Sequence, residues 1–485
     1  MKITDTLSGK KDEFKPFGDV VTMYVCGINP YADSHIGHGM SYIIFDVVRR
    51  YLEFRGYKVK HVENVTDVED NIINHANRQG ISVKELTEKY TQRYFEDMDA
   101  LNILRPHHTP KATETIPEII NMTKGLIDKG FAYAVGGNVY FRVGKLSDYG
   151  KLSKRSLKQM IAGARVEAVE EKEDPMDFNL WKAAKPGEPM WDSPWGKGRP
   201  GWHIECSAMS IKFLGEQIDI HGGGQDVVFP HHENEIAQSE SFTGKKPFVK
   251  YWMHNGLLQM GAEKMSKSLG NLITIRDALK KYTADGLRVF ILSSYYRSPL
   301  TYTEEALDAA QAGAARLARV ALKESKGGMG VALDEKPYQQ RFIDAMDDDF
   351  NTPQALAALF DLARDINRAE EAGMSVAKGC TTLRELGGVL GLDFKEKEEP
   401  PMDVAPLKKL AATIHEKAKA ANVSGIAEGD IPGDTEAIMA LLISVRKELR
   451  KARQFQLADE IRSSLNEIGI ALEDTPQGTA WKRKR

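Results

Sequence analysis

Two imidazoles three residues apart, His35 and His38, flank Gly37 at a point where a strand should end and a helix begin. Upstream, Val20-Val21-Thr22-Met23-Tyr24-Val25 is an apolar, β-branched run that predicts a buried strand of a parallel sheet. Downstream, Ile43, Ile44, Val47, Val48 and Leu52 recur at helical spacing between Ser41 and Phe54. Such a junction binds anions, because the first N–H groups of a helix lack partners. Gly37 adds room for a polyphosphate to reach the backbone. Cys26 stands at the strand's end, where α/β folds place their ligands. Much later, Lys264 and Lys267 stand three apart in a run closed by Gly270. They could bring cations to a phosphate; by themselves they read equally as two exposed lysines.

The two stretches together decide between these readings. HIGH (His35–His38) followed by KMSKS (Lys264–Ser268) resembles the class I aminoacyl-tRNA synthetases. The resemblance implies ATP with Mg²⁺ as substrate, His35 and His38 donating to its phosphates, and Lys264 and Lys267 closing over them.

A second chemistry is carried by sulfur. Cys26 and Cys206 both lie beside motifs of the predicted sheet domain, and His231 and Glu235 stand four apart, on one helical face. Two thiolates, an imidazole and a carboxylate suit a four-coordinate Zn²⁺. The chain has no CxxC knuckle, so inert buried thiols explain the cysteines equally well on spacing alone.

Longer stretches narrow the choice. MYVCG, PGWHIECSAMS at 200–210, DIHGGGQDVVFPHHENEIAQSE at 219–240 and KMSKSLGN at 264–271 together resemble the cysteinyl-tRNA synthetases. The likeness continues through MDDDFNTPQALAALFDLARD at 346–365 to DTPQGTAW at 474–481. It implies one zinc per chain held by Cys26, Cys206, His231 and Glu235, with L-cysteine bound through its thiol and His232 outside the ligand set. It places Tyr31 and Trp202 at the amino acid, although a core indole is the plainer reading of Trp202. Gly37, Gly222, Gly223, Asp226 and Lys267 would hold ATP. Trp481, followed by the basic Lys482–Arg485, would contact tRNA(Cys).

One stretch departs from the pattern. CGINPYADSHIGHG stands where bacterial members usually have CGPTVYDYIHIGHA, and Asn71 stands where a lysine is usual. The CGI-x-PY form is closer to a related ligase that joins cysteine to glucosaminyl-inositol. An inactive zinc- and RNA-binding paralogue is a third reading, opposed by the intact phosphate motifs.

These residues need an α/β, doubly wound parallel-sheet (Rossmann-like) domain, followed by a helical bundle and a small C-terminal domain. The 485 residues leave room for about three domains. A catalytic domain is expected over 1–300, with an insertion at about 106–200 and the lysine loop within 256–300. A helical tRNA-binding bundle should span 301–395, where Thr301 and Glu304 fit a capping box. An anticodon-binding domain should span 396–485, a helical hairpin ending in an irregular tail. The acidic run Glu170–Asp174 reads as a solvated loop.

The net charge of −3 requires local basic patches for any nucleic acid. Three scattered cysteines exclude a disulfide framework, and no apolar run is long enough to span a bilayer. A cytoplasmic monomer without membrane contact is expected.

Overall fold

A computed structural model describes residues 1–155, 171–260, 263–264, 272–323, 332–395, 403–421, 423–424, 431–475 and 478–483. Four strands build the central sheet: β1 (Val20–Ile28), β2 (Lys58–Val65), β3 (Ile218–Gly224) and β4 (Val249–Asn255). They lie in the order β4–β3–β1–β2, all parallel. Alternate residues of β1 enter different cores. Val21, Met23 and Val25 pack with helix α1 (Ile36–Phe54), while Tyr24 packs with Cys206, Met209 and Trp252. Burial on both faces explains why these strands read as continuous apolar runs.

Chain order reverses between β1 and β3. From β1 the chain crosses through α1 to β2, on one side; β3 and β4 lie on the other. The carboxyl ends of β1 and β3 therefore border a crevice, the place where an open α/β sheet receives ligands. Cys26, the turn before His35 and the Gly222–Gly224 run all lie at those ends.

Between β2 and β3 come helices Asp70–Gln79, Val83–Ala100 and Ile116–Asp128 and a four-stranded antiparallel sheet, Ala132–Val135, Asn138–Phe141, Phe178–Ala183 and Gly198–Pro200. This sheet has its own core around Ile119, Leu126, Phe141, Leu180 and Trp181. Helices α2 (Trp202–Leu214) and α3 (Glu233–Thr243) then return the chain to the central sheet.

Helices Glu304–Ala321, Lys336–Asp347, Thr352–Glu371 and Ala377–Val389 follow, and their apolar faces join the core of α1. The joint is polar at one point. Fully buried Arg288 pairs with Asp46 of α1 at 2.5 Å and donates to the carbonyls of Leu101, Asn102 and Leu390. Burying this guanidinium is tolerated because its donors are so fully matched.

The chain divides into two compact units, Met1–Glu396 and Lys397–Arg485. The second is built from helices Val404–Ala420, Thr435–Lys451 and Phe455–Glu467 around Leu407, Ile414, Leu442, Leu449 and Ile461.

Several local expectations need correction. Helix α1 starts at Ile36, not near Ser41, because the histidines themselves cap it. Thr301 lies in a short strand, Leu300–Tyr302, and Thr303 is the residue that caps the next helix, accepting from Ala306 N. The C-terminal tail is a β-hairpin: Ile470–Thr475 pairs antiparallel with Gly478–Arg483. The described part of the acidic run, 171–174, is an exposed loop as expected, and Glu173 there pairs with Arg142 through two bonds of 2.7 and 2.8 Å.

Candidate active site and metal centre

The end of β1 brings the sulfur chemistry together. One donor atom each from Cys26, Cys206, His231 and Glu235 lies within 4.8 Å of the other three. Cys206 comes from α2 and Glu235 from the first turn of α3, while His231 sits in the wide turn Val228–His232 just before α3. Cys206, His231 and Glu235 are at most 2% exposed. Gly27 permits this approach: a Cβ there would stand 1.6 Å from the carbonyl oxygen of Asn64.

Charge in the cluster is unevenly held. Burial opposes ionisation of Glu235, but His221 and His231 outweigh it and hold the carboxyl down at about 2. Oε2 of Glu235 lies 2.9 Å from His221 Nε2, and Oε1 lies 3.1 Å from His231 Nε2. Of the coupled thiols, Cys206 is held down by a hydrogen bond from Cys26, whereas burial pushes Cys26 up. The pair is thus primed to lose one proton more readily than two. Two sulfurs, one imidazole and an ionised carboxylate, buried and convergent, fit Zn²⁺.

More histidines surround this cluster than its motifs suggested. His232 meets Cys26 Sγ at 3.1 Å through Nε2 and His254 at 2.8 Å through Nδ1. His203 Nδ1 lies 3.0 Å from His231 Nδ1. A second combination, Cys26, His221, His232 and Glu235, also satisfies the distance test, but it offers a single thiol. His203 and His221 stand inside two of the motifs and His254 in strand β4, yet nothing in their spacing marks them.

Trp202 is no core indole. It is 37% exposed at the start of α2 and stacks on His231 with ring centroids 4.4 Å apart. Tyr31 stacks on His75 at 4.8 Å, on the same side of the sheet's end as the β1–α1 turn.

The phosphate motifs are arranged differently. His35 and His38 cap α1 reciprocally: His35 Nδ1 accepts from His38 N at 3.3 Å, and His38 Nδ1 accepts from His35 N at 3.4 Å. Their rings stack at 3.7 Å. A Cβ on Gly37 would stand 2.9 Å from His35 Nδ1, so the glycine clears space for the ring itself. Lys267 lies outside the described residues, and of Lys264 only its backbone, in strand Glu263–Lys264, is described. Both flanks of that loop are anchored, however. Gln259 and Met260 pair with 264 and 263, and His35 forms a bridge with Thr274, with Ile36 N donating to Ile273 O.

The glycines at the end of β3 have a packing reason of their own. A Cβ on Gly222 would stand 2.2 Å from the Phe45 ring, and one on Gly223 would stand 2.8 Å from Val227. Asp226 follows them in an exposed turn. Trp481 belongs to the second unit, half-buried against that unit's core and paired with Leu472.

Comparison with known proteins agrees with this arrangement. Residues 14–312 match the family described as tRNA synthetases class I (C) catalytic domain, and residues 341–395 match a DALR domain. Over full length the chain is 55% identical to a cysteine–tRNA ligase of Dehalococcoides mccartyi, with 100% of both chains covered. It is 48% identical to one of Geobacter metallireducens, again with 100% of both covered. The chain belongs to the cysteine–tRNA ligase family. Its fold is shared with Mycobacterium tuberculosis methionyl-tRNA synthetase in complex with methionyl-adenylate, at a TM-score of 0.55 and 16% identity, covering 77% of this chain and 90% of that one. The likeness to these relatives extends over the C-terminal segment, beyond both matched domains.

Proposed function

We infer that this chain activates L-cysteine with ATP and transfers it to the 3′ end of tRNA(Cys), releasing AMP and pyrophosphate. The observation that carries the reading is the buried Cys26–Cys206–His231–Glu235 cluster at the ligand-binding end of a class I catalytic domain. When bound there, Zn²⁺ would hold the substrate thiolate and so distinguish cysteine from serine, which a merely apolar pocket separates poorly. Cys26, Cys206, His231 and Glu235 are its ligands.

The rest of the work falls to protein groups. Trp202 and Tyr31 border the amino acid and exclude water from it. Gly37, Gly222, Gly223 and Asp226 receive ATP, with Mg²⁺ accompanying the phosphates. His35, His38, Lys264 and Lys267 meet the negative charge that grows on the α-phosphate as the cysteine carboxylate attacks and pyrophosphate leaves. Residues 1–300 perform activation, 301–395 hold tRNA, and 396–485 contact its anticodon, with Trp481 offering a stacking surface. The protein acts as a cytoplasmic monomer; among the described residues no helix is long and apolar enough to cross a membrane.

Cysteine-dependent ATP–pyrophosphate exchange, followed by charging of tRNA(Cys), tests the reading. Exchange without charging, together with ligation of cysteine to an amino sugar, would replace it with the amino-sugar ligase. Absence of exchange would leave an inactive paralogue.

A further inference from the structure

The thiol of Cys26 is the inner end of a chain of hydrogen bonds that runs to the far side of the sheet. His232 Nε2 lies 3.1 Å from Cys26 Sγ, and His232 Nδ1 lies 2.8 Å from His254 Nε2. His254 Nδ1 lies 2.9 Å from Thr6 Oγ1. Thr6 Oγ1 in turn accepts from Arg297 Nη2 at 3.4 Å. Both imidazoles are at most 2% exposed, so water has little access to substitute for a missing partner.

The outer end is firmly held. Thr6 N donates to Trp252 O, and Trp252 N donates to Asp5 Oδ1. Arg297 Nη1 donates to Thr4 O at 3.2 Å. Asp349, fully buried in the turn between helices Lys336–Asp347 and Thr352–Glu371, accepts from Thr4 N at 2.8 Å and Thr4 Oγ1 at 2.5 Å. It also accepts from the hydroxyls of Tyr295 and Tyr296. The N-terminal segment is thus pinned between the helical segment and β4.

Donor chemistry gives the chain one direction. A guanidinium can only donate, so Thr6 Oγ1 accepts from Arg297 and keeps its own proton free to donate to His254 Nδ1. His254 then carries its proton on Nε2 and donates to His232 Nδ1. His232 in turn carries its proton on Nε2 and donates to sulfur. A metal-bound thiolate can only accept, so the inner end demands the same direction. The Thr6 hydroxyl can meet that direction, and a flip of one ring alone would place two donors or two acceptors face to face between His232 and His254.

We propose that Arg297 and Thr6 are positioning residues that fix the tautomers of His254 and His232 so that His232 donates a hydrogen bond to the zinc-bound sulfur of Cys26. Such a bond draws charge off one thiolate and orients it, leaving the metal more receptive to the sulfur of the substrate. The inference rests on Cys26 being a zinc ligand, as read above. It adds that Thr6 in the N-terminal segment and Arg297, just before strand Leu300–Tyr302, tune that ligand from more than one residue away.

Zinc-loaded full-length protein carrying ¹⁵N-histidine tests the tautomers by two-bond ¹H–¹⁵N correlation. His232 and His254 should both show the proton on Nε2 and a bare Nδ1. Thr6→Val, which keeps shape but removes the donor, should release zinc to a chelator about tenfold faster and raise KM for cysteine more than it lowers kcat. Thr6→Ser should restore both. A proton on Nδ1 of either ring, or zinc release unchanged in Thr6→Val, overturns the proposal while leaving the metal centre standing. A wild-type protein that takes up no zinc overturns the metal reading and this one with it. The tautomer measurement needs no variant, so a poorly folding Thr6→Val protein does not shelter the idea.

Discussion

The thiol side of the site and the phosphate side are built to opposite plans. The donor atoms of His231 and Glu235 are buried and each is answered by a second residue, with Cys206 buried beside them, so the donor geometry exists before any substrate arrives. On the other side, His35 is half-buried and His38 exposed, and the lysines belong to a separate segment whose described flanks are fastened beside α1. The first plan suits selection, since a preformed ligand shell can tell sulfur from oxygen in the ground state. The second suits catalysis, since charge on the phosphates peaks only in the transition state, and groups that engage it then lower the barrier without tightening substrate binding. Two buried carboxyls mark the contrast. Glu235 is held ionised by His221 and His231, whereas burial pushes Glu63, beneath α1, up to about 7 against the hydrogen bond from Tyr94.

Removing a metal ligand should have the largest effect. Cys206→Ala is expected to abolish stoichiometric zinc and reduce cysteine-dependent pyrophosphate exchange to background; elemental analysis and the exchange assay read both. A metal-free variant of undiminished activity would erase the distinction between the two sides.

Next in size is Lys267→Ala. Adenylate formation should slow by about 10²–10³, with cysteine affinity nearly unchanged, as measured by single-turnover kinetics and equilibrium binding. A loss confined to cysteine affinity would place the lysine on the selective side instead.

Trp481→Ala should be milder, costing roughly 1–3 kcal/mol of tRNA affinity with pyrophosphate exchange untouched. The deficit should grow with salt in a filter-binding titration, because fewer contacts then remain against screening. Trp481 also packs on the core of its own unit, so a melting curve must accompany the titration.

The smallest effect concerns Glu63. In the unfolded chain its carboxyl ionises near 4.5, in the folded chain near 7. Between these values the folded state binds more protons than the unfolded one, so stability falls as pH rises through that window. Glu63→Gln should flatten this slope, by on the order of 1 kcal/mol between pH 5 and 7, in urea unfolding at the two pH values. An unchanged slope would show that the carboxyl beneath α1 ionises as readily as one on the surface.

Much of this could be read in the chain beforehand, where one residue type has one strong physical reason to occur. The β1 run and the α1 periodicity are of that kind, and both elements formed where apolar spacing put them, apart from the histidine cap. Thr301 and Thr303 show the limit: both fit a cap by type, and only the pairing of Leu300–Tyr302 with Leu258–Met260 decides between them. The C-terminal hairpin escaped because Asp474-Thr475-Pro476-Gln477-Gly478 resembles a loop, and strand pairing is a tertiary decision that polar flanks such as Glu473 and Lys482 do not announce. His231 and Glu235 are paired by their four-residue spacing, whereas Cys26 and Cys206, drawn from a strand and another helix, leave no local period and are joined to them by the family motifs. His203, His221 and His254 were missed for the same reason: each is an ordinary buried residue until the fold sets it beside another.

The reciprocal histidine cap has a use in design. Because His35 and His38 close the entrance of α1 with their own Nδ1 atoms, the residue proposed to meet the phosphates is also the residue that starts the helix. Asparagine is among the best capping residues and can accept the same N–H. A His35→Asn protein should therefore keep its fold and its thiol-binding cluster while losing the imidazole at the phosphates. That would turn an enzyme into a folded, non-consuming receptor for free cysteine, which could serve as the recognition half of a sensor.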